Sequence, residues 1–72
     1  MTHEEYLKVL GERIVQARKE NKMSQLELAE HVGTSNTHLR RVERGEVSCR
    51  ITFLRDIAWE LGLPLSELVN IG

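Results

Sequence analysis

The stretch His31-Val32-Gly33-Thr34-Ser35 joins two runs of helical apolar spacing through a connection of about three residues. Leu28, Ala29 and Val32 lead into it, and Leu39 and Val42 follow it. Gly33 can take the positive φ that ends a helix, and Thr34 or Ser35 can cap the next one. So short a turn cannot reverse the chain into a long antiparallel hairpin. It sets two short helices at a steep angle, and any fold of this chain must be built around that pair.

The remaining chain reads as three more helices and no strands. Thr2-His3-Glu4-Glu5 is a capping-box pattern, in which each side chain can satisfy the other residue's free backbone N–H. Behind it Leu7, Leu10, Ile14 and Ala17 recur at spacings of three, four and three, one buried stripe of a helix that fades near Glu20-Asn21, where Asn tolerates a left-handed turn. Ser24-Gln25-Leu26-Glu27 is a second capping box and opens the helix that ends at Gly33. The third helix runs from about Asn36 to Arg44 and stops at Gly45. Residues 46–50 form a polar loop. Ile51, Leu54, Ile57, Ala58 and Leu61 mark a fourth helix, ended by Gly62. Pro64 suits the first turn of a last short helix, with Leu65, Leu68 and Val69 on its apolar side.

At 72 residues this is one all-α domain, residues 1–72, a compact bundle of five short helices. A core of that size supplies only a few kcal/mol of net stability, roughly 3–5, so some further support is expected. The lone Cys49 excludes an internal disulfide and suits a reducing, cytoplasmic setting. His3, His31, His38 and Cys49 lack the spacing of a zinc motif, so no metal is expected. No nucleophile and base, carboxylate dyad or phosphate-cradling glycine loop is present, so neither an enzyme nor a cofactor or small-molecule ligand is expected. The Tyr6–Leu10 apolar run is interrupted by Lys8 and is too short for a membrane span or signal core. Tight helix packing and self-association remain as supports.

The formal net charge is −1, which by itself argues against a nucleic-acid partner. The charge is polarised, however. Residues 34–50 hold Arg40, Arg41, Arg44 and Arg50 against Glu43 and Glu46, whereas residues 51–72 hold Arg55 against Asp56, Glu60 and Glu67. The positive part contains GTSNTHLRRVERG, residues 33–45, in which only Leu39 and Val42 are large and apolar. On its own such a helix face is ordinary solvated surface.

Met23-Ser24-Gln25, Leu28-Ala29-Glu30, Val32-Gly33-Thr34-Ser35 and Val42-Glu43-Arg44-Gly45, with the trailing Leu54, Ile57-Ala58 and Leu61-Gly62, resemble the helix-turn-helix domain of the phage-repressor/Cro type, the XRE family. The resemblance covers roughly residues 7–69. It implies a lambda-repressor-like bundle of five helices whose second and third form the helix-turn-helix, with the third entering the DNA major groove. The sequence departs from the family's pattern in three ways. Cys49 and Arg50 stand where relatives often carry a proline and a serine, leaving the fourth helix without an obvious cap. The net charge is slightly negative. No sensor domain is expected from these residues.

By match to the family, Asn36, Thr37 and Arg41 are the base readers, followed by His38 and Arg40. Asn can pair with adenine N6/N7, and Arg can grip guanine O6/N7 with two hydrogen bonds. Gln25 and Ser35, at helix starts where N–H groups and the helix dipole favour an anion, and Arg50 in the loop are the phosphate contacts. The resemblance also pairs Arg18 with Glu43 across two helices, a structural ion pair.

The expected function is that of a sequence-specific regulator of transcription, a repressor, binding double-stranded DNA at an inverted repeat as a homodimer. One module makes few base contacts of about 1–3 kcal/mol each. Two copies on half-sites roughly 34–36 Å apart multiply that readout. The expected dimer surface lies in residues 57–72 and comprises Trp59, Leu63, Leu65, Leu68 and Ile71, although Trp59 could instead be half-buried against Tyr6 or Phe53. The alternative, favoured by the negative charge, is a helix-turn-helix used for protein contact, an antitoxin-like or adaptor module.

Overall fold

The computed structural model describes residues 1–71; Gly72, the last residue of the expected domain and C-terminal surface, lies outside them. The described chain forms five α-helices and no strand: α1 (His3–Glu20), α2 (Gln25–His31), α3 (Asn36–Glu43), α4 (Ile51–Glu60) and α5 (Leu65–Val69). Both capping boxes are complete. Thr2 and Glu5 satisfy one another's backbone at the start of α1, and Ser24 and Glu27 do so at α2. These bonds favour the charged carboxylates and hold the Glu5 and Glu27 pKa values below the ordinary glutamate range.

Four helices end in one way. The residue after the cap takes a left-handed conformation, and the next N–H returns to a carbonyl five residues back, as from Met23 to Arg18 and from Thr34 to Ala29. Glycine fills that left-handed place after α2, α3 and α4. After α1 it is Lys22, at φ 54, and not Asn21 as the sequence suggested. Asn21 keeps φ −87 and uses its side-chain amide to donate to the Ala17 and Leu61 carbonyls, tying the end of α1 to the end of α4.

The core takes residues from every helix: Leu10, Ile14 and Ala17 of α1, Leu28 and Ala29 of α2, Leu39 and Val42 of α3, Leu54, Ile57 and Ala58 of α4 with Leu61 just beyond it, and Leu68 of α5. Ile14, Leu28, Leu39, Ile57 and Leu68 are fully enclosed, each worth about 1.5–3 kcal/mol of transfer free energy. Leu7 and Val32, expected on the buried stripes, are only half-buried. Helix α1 packs on α3 and α5, α2 packs on α3 and α4, and α4 packs on α5.

Two expectations are corrected at the C-terminus. Pro64 is the cap residue of α5 and not its first turn. Leu68 is fully buried against the core, so it is unavailable to a dimer surface; the spacing that placed it with Leu65 also matches an inward stripe. Trp59 is 83% exposed, the most exposed of the large hydrophobic residues, which removes the half-buried alternative. Tyr6 instead donates its hydroxyl to the Val69 carbonyl, and Phe53 meets the ring of His38.

Candidate functional site

Helix α3 is built with two opposed faces. At 100° per residue, Leu39, Val42 and Glu43 share one side, and all three are buried. Thr37, Arg40, Arg41 and Arg44 project from the other and are exposed. Ser35 sets where the helix begins: its hydroxyl accepts from the His38 N–H at 3.0 Å, which settles the choice between Thr34 and Ser35 as the cap.

Glu43 fixes the orientation of the helix. Its side chain retains 4% of its exposure, and it accepts three hydrogen bonds. Arg18 grips it with two, Nε to Oε2 at 2.9 Å and Nη2 to Oε1 at 3.2 Å, while Gln25 Nε2 donates to Oε1 at 2.9 Å. Arg18 also donates to the Met23 carbonyl at 3.1 Å. One carboxylate therefore joins α3 to α1 and to the first residue of α2. A buried charge is tolerable only with such complete pairing.

Gly11 makes this close seating possible, and it carried no weight in the sequence reading. It is buried within α1, and a methyl group there would overlap the Glu43 carbonyl and come within 2.8 Å of the Val42 oxygen. An isolated glycine inside a helical pattern costs about 1 kcal/mol relative to Ala and so usually has a packing reason. That signal was available in the sequence.

The other expected site residues are placed as follows. Thr37, Arg40 and Arg41 lie together on the exposed face of α3. Arg44, absent from the expected set, lies on that same face because it follows Arg40 by four positions. His38 is exposed and packs edge-on against Phe53, with ring centroids 5.3 Å apart. Asn36 differs from expectation: its Oδ1 is buried without a hydrogen-bond partner among the described residues. Pairing with adenine needs the amide donor and acceptor together, so the observed rotamer cannot make it and the side chain must turn outward first. Gln25 is half-buried and already commits an N–H to Glu43. Arg50 is exposed and is the N-cap of α4, with no side-chain cap hydrogen bond.

The local charge is more positive than the sequence count implies. Glu43 is buried under Arg18, which leaves Arg40, Arg41, Arg44 and Arg50 on the surface against Glu46 as the only exposed acid of residues 34–50. Cys49 is half-buried, and burial pushes its thiol pKa up, away from nucleophilic use. No group of three or more metal-ligating side chains occurs among the described residues, and no described helix is long and apolar enough to cross a membrane.

Comparison with known proteins agrees with this architecture. The chain is 35% identical over 61 residues to the immunity repressor protein of Bacillus phage phi105, a match covering 85% of this chain and 42% of the repressor. The chain thus spans less than half the length of that relative. Among solved structures it is similar to the restriction-modification controller protein C.AhdI from Aeromonas hydrophila, with TM-score 0.88 and 26% identity over 94% of this chain and 99% of that one. It is also similar to an HTH_3 family transcriptional regulator from Vibrio cholerae, with TM-score 0.84 and 28% identity over 93% of this chain and 38% of that one. These relatives are regulators, not enzymes. The helix-turn-helix model HTH_3 matches residues 14–68, which include α2, the glycine turn and α3, and by that match the chain belongs to the HTH_3 helix-turn-helix family of transcription regulators.

Proposed function

We propose that this chain is a sequence-specific repressor that binds an inverted-repeat operator in double-stranded DNA as a homodimer, in the cytoplasm. The observation that carries the proposal is the division of α3. Its inner face is clamped to α1 and α2 through Glu43, while its outer face presents solvent-exposed arginines with Glu46 as the one acid beside them. A rigidly seated helix with an exposed basic face can enter a major groove at a defined angle. Thr37, Arg40 and Arg41 read base edges there, with His38 at the margin and Asn36 after it turns outward. Gln25, Ser35 and Arg50 contact phosphates. The second copy docks through Trp59, together with Leu63, Leu65 and Ile71, which are half-buried against the core. A Trp buries about 150–250 Å² when covered, which makes it the natural centre of such a contact.

Selection of bound duplexes from a random DNA pool, at low and at high salt, tests the reading. Recovery of an inverted repeat supports it. Phosphate contacts also require affinity to fall steeply with salt. Recovery of no motif, together with salt-insensitive association through the Trp59 surface, would replace it with a module for protein contact. Sedimentation that finds only monomer, free and on the recovered DNA, would remove the dimer.

A further inference from the structure

Glu46 stands where an acid is least expected, beside the basic face of α3. Its carboxylate lies between two arginines, with Oε1 3.8 Å from Arg41 Nε and Oε2 3.2 Å from Arg44 Nε. In both pairs the nearest nitrogen is Nε, on the stem side of the guanidinium, so the terminal Nη groups lie farther from the carboxylate. Nor does Glu46 ride on a free loop. Its N–H donates to the Arg41 carbonyl at 2.9 Å, closing the end of α3, and Gly45 before it takes φ +74 against the backbone of Lys8, where a Cβ would come within 2.8 Å of the Lys8 Cα. The backbone thus fixes where the Glu46 side chain begins, within reach of both arginines.

We infer that Glu46 is a specificity-determining positioning residue: it orients Arg41 and Arg44 with their fork ends outward and opposes their use on phosphates. The inference rests on the DNA-binding reading of α3. A base edge is read by the fork end, which leaves Nε beside Glu46. A phosphate drawn to the flank of either arginine meets the Glu46 charge instead. Binding without regard to sequence is almost wholly phosphate attraction, so the acid weakens that mode most. Both pairs are exposed, so they bias the arginines without locking them.

The test compares the full chain with E46Q and E12Q. Glu12 is exposed on α1, on the side turned away from the core stripe of Leu10, Ile14 and Ala17, so its substitution makes the same charge change outside both α3 and the dimer surface. On a random-sequence duplex of two to three helical turns, E46Q should bind about 3- to 10-fold tighter at low salt with a steeper salt slope, and E12Q less than about twofold tighter. In parallel selections from a random pool, E46Q should yield a less sharply defined motif than the unmodified chain. Equal shifts in E46Q and E12Q, no shift in E46Q, or identical motifs from the two pools would each overturn the role of Glu46. Absence of DNA binding by all three proteins would overturn the DNA-binding reading and this inference with it.

Discussion

The seat of α3 and the start of α4 are only a few residues apart in sequence, and they are held in opposite ways. At the seat, Gly11 lets two backbones touch, and Glu43 gathers Arg18 and Gln25 into a buried hydrogen-bonded cluster. At the start of α4, Arg50 caps nothing, no acid occupies the first turn, and Ile51 is 60% exposed. Rigidity is thus concentrated where a helix must keep its angle, and the neighbouring helix start keeps a positive charge at the expense of local stability. In a domain with only a few kcal/mol to spend, such a contrast is large enough to measure.

The sharpest way to break the contrast is Glu43→Ala. It strands the Arg18 guanidinium with little exposure and frees Gln25, and removing one partner of a buried pair costs about 3–5 kcal/mol. Thermal unfolding should show the variant largely unfolded near 37 °C; an unchanged melting temperature would deny Glu43 this role. Gly11→Ala should come next, at about 3 kcal/mol, because the added methyl meets backbone that cannot swing away. Its signature in denaturant unfolding is a lower midpoint.

Smaller effects with the opposite sign should appear where the fold is less well fastened. Arg50→Ser supplies the missing cap and should stabilise the domain by about 0.5–1 kcal/mol, while shallowing the salt dependence of DNA binding by about one phosphate contact. Stabilisation with unaltered DNA binding would remove Arg50 from the phosphate contacts. Lys22→Gly should raise stability by up to about 1 kcal/mol, since Lys22 holds the left-handed place that glycine holds after the other three helices. A loss of stability on melting would show that the Lys22 side chain contributes more than its backbone conformation costs.

Much of the molecule was legible because its signals are local. The capping boxes at Thr2 and Ser24, the glycines closing α2, α3 and α4, and the 3.6-residue spacing of Leu54, Ile57, Ala58 and Leu61 each act within one or two turns of chain. These located five helices and the short connection between α2 and α3. The missing cap at Arg50 was legible as a departure from the family's pattern. Gly11 was legible too, as an exception within a helical stripe, but its partner was not, because that partner is backbone 32 residues further along.

By itself, then, the sequence determined the five helices, their ends and most of the core, and its resemblance to a family pointed to α3 as the candidate site. Only the tertiary structure decided which polar groups are free to act. Leu68 faces inward although its spacing also suited a surface, because whether an amphipathic stripe meets the core or a partner depends on what stands opposite. Asn36 and Gln25 have the right chemistry for DNA, yet one has its oxygen buried and the other is bonded to Glu43, since burial and long-range hydrogen bonds leave no trace in residue type. Glu43 and Glu46 are the same residue three positions apart. One is enclosed between three helices and the other lies among exposed arginines, and that difference in surroundings, absent from the sequence, sets what each carboxylate does.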